Sequence, residues 1–333
     1  MTTIKISSRI RYWDQSPTRR IAPTDRNGRT IEVAYFHLAQ FTGYSKHYPL
    51  PLLYSYKNKK LSLPLREKFM SLDRATVYEA GDMFFEDELP EVQKTVDIPV
   101  FYFVYNMANY YHFIYDTLPY LYSYFNEKKI HPDMKLLVSP PEGQDDLYPF
   151  VWDSLNMLGI TRDDVVFLDP EVMYNRVCVS SSLTHNGLSN CPPHDGVFEI
   201  LNSLKSDYIG PEKIYISRRT WVHNKKDNIG TDYTERRRCV NEDQMAQIFK
   251  LYGFKEIFCE NLTMEEKIGM FRTAKYVAGP IGGGMCNLIF SPPETKVMSI
   301  NSPTFMDVNL RFAYSMVHTD LYNFEHTEFV DRQ

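Results

Sequence analysis

The sequence predicts an α/β protein made of two doubly wound halves. Three observations carry this. From about residue 135, short apolar runs of strand length alternate with segments of helix length. A glycine-rich stretch, GPIGGGMCN at 279–287, follows one such run, as in sheets that bind ligands at strand ends. The chain has 333 residues, 43% of them hydrophobic, enough for two cores and too apolar for a disordered chain. The boundary is expected near residue 205. That gives an N-terminal domain over 1–205, a C-terminal domain over 206–312, and a tail over 313–333 free to pack back on the first.

Residues 1–95 mix short apolar runs with Pro, Arg and Asn-Gly, so short strands and loops are expected. Arg26-Asn27-Gly28 reads as a turn feeding a strand over 30–34. A helix is expected over 110–125, restarted at Pro119, because proline cannot donate to the preceding turn. Strands follow at 135–138, 165–168 and 177–179, with a helix over 150–158 stopped by Gly159. After Pro192-Pro193 the pattern gives a helix over 196–208, a strand over 213–217 and a polar loop. A helix then starts at Asn241, with Met245, Ile248, Phe249 and Tyr252 as its apolar stripe. Next come a strand over 255–259 and a helix over 263–274 with Ile268 and Phe271 inward. A strand over 276–278, the glycine stretch, a short helix and a strand over 296–300 complete the order.

Net charge is −5, from 37 basic and 42 acidic residues, and no basic block dominates. Nucleic acid is therefore not an expected partner. Five cysteines without a CxxC pair give neither a disulfide framework nor a zinc site, and reduced thiols in a cytoplasmic setting are expected. The N-terminal MTTIKISSRIRYWDQ has no apolar signal core, and no window holds 18 apolar residues, so no membrane span is expected.

Four stretches carry chemistry. In GPIGGGMCN, the absence of Cβ atoms at Gly282, Gly283 and Gly284 lets backbone N–H groups meet a phosphate at a helix N-terminus. A tight turn without a ligand explains the same residues. No Lys-Ser/Thr pair follows, which excludes a Walker loop, and the frame is wrong for a dinucleotide fold. Ser217-Arg218-Arg219 closes a strand, where a guanidinium can hold phosphate oxygens. Most of the charged loop beyond it reads as a solvated surface. Thr263-x-x-Glu266 and Asn241-x-x-Gln244 have the spacing of helix caps, which accounts for them structurally. Finally, 12 of the 25 residues over 101–125 are Phe or Tyr, yet Asn109, His112 and Asp116 sit among them. At helical spacing these three polar groups share one face, and a carboxylate beside an imidazole raises its basicity. A hydrogen-bonded core histidine is the competing explanation. No D-x-D occurs, so a metal–diphosphate site of that type has no support.

Taken together, the chain resembles glycosyltransferase family 61. The resemblance rests on N-x-x-H-x-x-x-D-x-L-P from Asn109 to Pro119, YISRR at 215–219, RRCVNE at 237–242, and LTMEEKIGMFRTAKYVAGPIGGGMCNLIFSPP at 262–293. Three positions depart from the family pattern. Ile281 and Gly283 stand where it has His and Ala, and Glu266-Lys267 stands for its Glu-Gln pair. Lys267 either adds a cation or is solvated. The resemblance implies a GT-B architecture, two Rossmann-like domains facing across a cleft, with inversion at the anomeric carbon and no metal or other cofactor. It implies a UDP-sugar donor held by the C-terminal domain through Ser217, Arg218, Arg219, Glu266, Gly282, Gly283, Gly284 and Asn287. It also implies a glycan or glycoprotein acceptor on the N-terminal domain, near Asn109. In that picture the aromatic wall of 101–125 stacks on sugar rings. His112 is the general base, and Asp116 orients it or takes the proton itself. The alternative is a catalytically inactive module that holds carbohydrate or nucleotide, motivated by Ile281.

Overall fold

The computed structural model describes residues 4–9, 18–20, 29–43, 51–57, 60–62, 84–141, 143–184, 193–219, 238–239, 241–301, 321–325 and 329–330. The turn read at Arg26-Asn27-Gly28, Cys191 and the charged loop over 220–237 lie outside them. The chain divides into two compact units, each assembled from several stretches of sequence. The first comprises Met1–Asn106, Asp116–Leu147 and Ile160–Ile200; the second comprises Met107–Tyr115, Tyr148–Gly159 and Leu201–Gln333.

The first unit is built on a nine-stranded mixed sheet. Along its main path run Val165–Phe167, Lys135–Val138, Val100–Tyr102, Val172–Ser180, Glu32–Phe41, Leu53–Ser55 and Lys60–Ser62. The first four are parallel neighbours, as expected for a wound sheet. The rest pair antiparallel. The last two strands are joined by a few residues only, and so short a connection permits no parallel pairing. The inner strand Val100–Tyr102 is buried along its whole length, as a strand covered on both faces requires.

The aromatic run 101–125 is mainly core and not an open wall. All of its aromatic residues except Tyr110, Tyr122 and Phe125 are buried. In the first unit Tyr105 stacks on Tyr120 with ring centroids 4.0 Å apart, and Tyr102 stacks on Phe41 at 5.5 Å. Such offset and edge contacts add to the area these rings remove from water. The expected helix over 110–125 is also more broken than its pattern indicates. It opens as an α-turn at Tyr110–His112, widens to a π-helix at Phe113–Thr117, tightens to a 3-10 turn at Leu118–Tyr120, and becomes α-helical at Leu121–Lys128. Pro119 has no N–H to donate, so the regular ladder cannot pass through it. A π-turn also shifts side-chain phase, so four-residue spacing no longer guarantees a shared face.

The second unit holds a five-stranded sheet in which every neighbouring pair is parallel. In space the order is Lys255–Ile257, Lys213–Ile216, Tyr276–Pro280, Lys296–Asn301 and Leu321–Glu325. Numbered by chain order this is 2-1-3-4-5, a doubly wound order whose direction of growth reverses between Lys213–Ile216 and Tyr276–Pro280. The last strand comes from the stretch read as a tail, and it extends this sheet.

Helix Met264–Thr273 starts where its capping box predicts. Thr263 accepts from the Glu266 N–H at 3.2 Å, and Glu266 accepts from the Thr263 N–H at 2.8 Å. Helix Glu242–Leu251 is rotated from the predicted stripe. Met245, Ala246 and Phe249 pack on Tyr215, with the Phe249 and Tyr215 rings stacked at 4.7 Å. Ile248 and Tyr252 are instead 53% and 70% exposed. The buried face runs through Glu242, Ala246 and Phe249, so the apolar pattern alone misplaced its centre.

One close contact fixes how helix Met264–Thr273 lies in this unit. A Cβ at Gly269 would collide with the Tyr208 carbonyl oxygen, which is backbone and cannot step aside. Alanine favours helices over glycine by about 1 kcal/mol, whereas overpacking costs about 1–3 kcal/mol. Gly269→Ala is therefore expected to lower the urea midpoint of unfolding despite its better helix propensity. An unchanged or higher midpoint would contradict this packing.

Candidate active site

Everything at the sheet's reversal point starts from the end of strand Lys213–Ile216. Ser217 donates its N–H to the Ile257 carbonyl at 2.9 Å, which carries the pairing one residue further. The next peptide turns away and is caught by Glu242, the first residue of its helix. Glu242 Oε1 accepts the Arg218 N–H at 2.7 Å, the Ser217 hydroxyl at 3.2 Å and the Tyr215 hydroxyl at 3.3 Å. The residue is 3% exposed, and its second oxygen, Oε2, has no hydrogen-bond partner among the described residues. Burial raises the Glu242 carboxyl above its ordinary value, and the three donors and the Arg218 charge pull it back only in part.

With its backbone fixed, Arg218 reaches across to the next strand. Its Nη1 donates to the Ile281 carbonyl at 2.8 Å. A Cβ on Gly282 would overlap this guanidinium. Gly282 has extended backbone angles, φ 161° and ψ −171°, which any residue can adopt. A side chain here would displace the guanidinium from its place over Gly282, so the glycine matters for where Arg218 lies and not for its own conformation. Gly279 and Gly284 are likewise needed for close packing on Ile216. Gly283 differs, because nothing lies within 4 Å of a Cβ placed there. Among the described residues, the N–H groups of Gly282, Gly283 and Gly284 find no backbone acceptor as the 3-10 helix Gly283–Phe290 begins. A fixed cation, an open glycine and free N–H groups thus meet at the reversal point of the sheet, where α/β proteins bind ligands.

A second layer lies against the 3-10 helix. Asn287 is fully buried. Its amide nitrogen donates to the Gly284 carbonyl at 2.9 Å, and its oxygen accepts the Tyr110 hydroxyl at 2.5 Å. Burial and two neighbouring thiols hold the Tyr110 hydroxyl protonated, so it remains the donor. The ring of Tyr110 packs edge-on to Phe150 and carries the Lys267 ammonium 4.4 Å from its centroid. Tyr110 opens the short turn whose N-cap is Asn109, which accepts the His112 N–H at 3.3 Å. His112, half-buried, ends that turn.

The expected residues therefore fall into groups. Ser217, Arg218, Gly282, Gly283 and Gly284 gather at one point, with Asn287 behind them and Asn109 and His112 on the turn that Tyr110 anchors. Arg219 is engaged elsewhere: it binds Glu256 bidentately and Asp243 at 2.6 Å, tying strand end to helix. The Glu266 carboxylate is occupied by its cap. Asp116 is buried in the first unit and accepts the Thr184 hydroxyl at 3.2 Å. Glu242, Tyr110 and the burial of Lys267 were not anticipated. Adjacency to Asn109 was the one sequence signal for Tyr110, and the cap spacing hid Glu242.

The family described as Glycosyltransferase 61 matches residues 110–298. The match covers more than half of the chain and takes in Tyr110, Arg218, Glu242, Lys267 and the whole glycine stretch. The chain belongs to glycosyltransferase family 61. No curated protein matches it. Membership in family 61 makes a sugar donor and an acceptor its partners, and its mixed α/β sheets are consistent with a glycosyltransferase. Among the described residues, no helix of this family 61 chain is long and apolar enough to cross a membrane.

Glu242 gives a pH signature. Its carboxyl is raised in the folded state, so the fold binds a proton that the unfolded chain releases at lower pH. The stability it contributes is full below its unfolded value and is lost as pH rises through the folded one. Unfolding free energies measured from pH 4 upward should therefore carry a downward slope that Glu242→Gln removes. Identical slopes in the two proteins would contradict this environment.

Proposed function

We propose that this family 61 protein is an inverting, metal-independent glycosyltransferase of GT-B type. It transfers a sugar from a UDP-sugar to a hydroxyl of a glycan or glycoprotein acceptor, with xylose and N-acetylglucosamine the first donors to consider. The observation that carries this reading is the pairing of Arg218 with the free N–H groups of Gly282–Gly284 at the sheet's reversal point. A nucleoside diphosphate fits that chemistry, since a guanidinium and a helix N-terminus both favour multiply charged oxygens.

In the reaction, the acceptor oxygen attacks the anomeric carbon on the face opposite the diphosphate. One C–O bond forms while the bond from carbon to the β-phosphate oxygen breaks, and its electron pair leaves with UDP. The acceptor's proton passes to the His112 imidazole. Arg218 and the backbone N–H groups meet the negative charge as it grows on the leaving group, so a divalent cation is not called for in this reading. Asn287 holds Gly284 from behind. A second reading has one observation in its favour: Ile281, at the position where the resemblance expects His, is 3% exposed and contributes only main-chain bonds. On that reading the protein binds nucleotide or carbohydrate without turnover.

Incubation with UDP-xylose and UDP-N-acetylglucosamine in the presence of EDTA separates the two. Release of UDP is expected, with loss of release in His112→Ala and near-normal UDP affinity in that variant. Arg218→Ala is expected to weaken UDP binding about tenfold or more, the scale of a lost charged hydrogen bond. Binding without release favours the second reading. Release that requires added manganese contradicts the first.

A further inference from the structure

Lys267 is 2% exposed, in the middle of the buried face of helix Met264–Thr273. A cation in that position normally has a carboxylate against it. Here no carboxylate lies within ion-pair distance among the described residues, and the Tyr110 ring is the group its ammonium meets, at 4.4 Å. The other groups facing it are the thiols of Cys259 and Cys286 and, at longer range, the carboxylates of Asp153 and Glu260. Burial pushes the Cys259 thiol up to about 12, so it provides no negative charge near neutrality. Burial likewise lowers the Lys267 pKa. A cation–π contact recovers only part of what desolvating an ammonium costs. Within the described residues the burial of this ammonium is only partly offset.

Its position shows what would offset that. The Tyr110 ring beneath the ammonium bonds Asn287, and Asn287 bonds Gly284. Cys286 is the fourth residue of the 3-10 helix, and the Cys259 sulfur is 3.3 Å from where a Gly284 Cβ would be. The ammonium is thus one side-chain layer from the start of the 3-10 helix, linked to it through Tyr110, Asn287 and the two thiols.

We propose that Lys267 is a cation of the nucleoside-diphosphate site, completing with Arg218 and the glycine N–H groups a pocket for the diphosphate of the donor and of the leaving group. This rests on the reading of the site given under the proposed function. The bound diphosphate is the close counter-ion that the described residues do not supply.

The test is calorimetric titration of UDP and of uridine into wild type, Lys267→Met and Lys267→Arg, together with each protein's melting temperature. Methionine keeps the shape and removes the charge, so the variant should melt no lower than wild type. It should bind UDP about tenfold or more weakly, as expected for a lost charged contact, with uridine affinity unchanged. Arginine should retain most of the UDP affinity. Should Lys267→Met fail to fold, wild type and Lys267→Arg still decide the matter between pH 7 and 8.5, below the range in which the uracil N3–H ionises. UDP affinity of wild type should fall as Lys267 loses its proton below the usual lysine range, while uridine affinity and the arginine variant stay flat. Wild-type UDP affinity in a folded methionine variant, or a flat wild-type profile, overturns the role of Lys267 alone. A wild-type protein that does not bind UDP overturns the reading of the site and Lys267 with it.

Discussion

The guanidinium of Arg218, laid across Gly282 onto the Ile281 carbonyl, is the contact on which the second unit's site depends. It joins the ends of two parallel strands exactly one switch apart in the sheet order, and it does so only because both sides are prepared. Glu242 fixes the arginine's backbone through three donors on a single oxygen. Gly282 has no side chain to displace the guanidinium from the Ile281 carbonyl. What remains exposed is Gly283, with N–H groups that no carbonyl of the described residues claims. A rigid cation beside unpaired amides is preorganised for an anion, and preorganisation of this kind is what lowers a barrier when charge moves onto a leaving group.

Two buried ionisable residues flank that contact, and both are poor choices for stability alone. Among the described residues, Glu242 leaves one oxygen without a partner, and Lys267 has an aromatic ring where an acid would be expected. Local rules of folding are commonly broken where function requires it, and here the breaks lie on either side of the glycine stretch. Arg219 and Glu266 show the opposite condition. Their charges are matched within the protein, by Glu256 and Asp243 in one case and by a helix terminus in the other. Chemically similar residues a few positions apart thus serve either the framework or the ligand, and the difference lies in what faces them.

Much of the second unit was legible in the sequence because its signals are local. Strand-length apolar runs, the Thr263–Glu266 cap and the glycine stretch each depend on neighbours in the chain, and each appears near its expected place. The rotated face of helix Glu242–Leu251 was not legible. A buried glutamate looks polar in any apolar pattern, so Ile248 and Tyr252 were assigned inward and are exposed. The helical turn around His112 shows a similar limit. Four-residue spacing to Asp116 suggested one face, but a π-turn intervenes and Asp116 is bonded to Thr184. The antiparallel half of the first sheet depends on which strands find each other across more than a hundred residues, and no local pattern encodes that. The link from Tyr110 through Asn287 to Gly284 is equally distant in sequence and emerges only in the fold.

A structure of the protein crystallised with UDP tests the central claim most directly. The account predicts diphosphate oxygens within hydrogen-bond distance of the Arg218 guanidinium and of the Gly283 N–H, with the uridine held in the same unit. A diphosphate bound away from this strand junction, or Arg218 still closed on Ile281 with no phosphate contact, would contradict it.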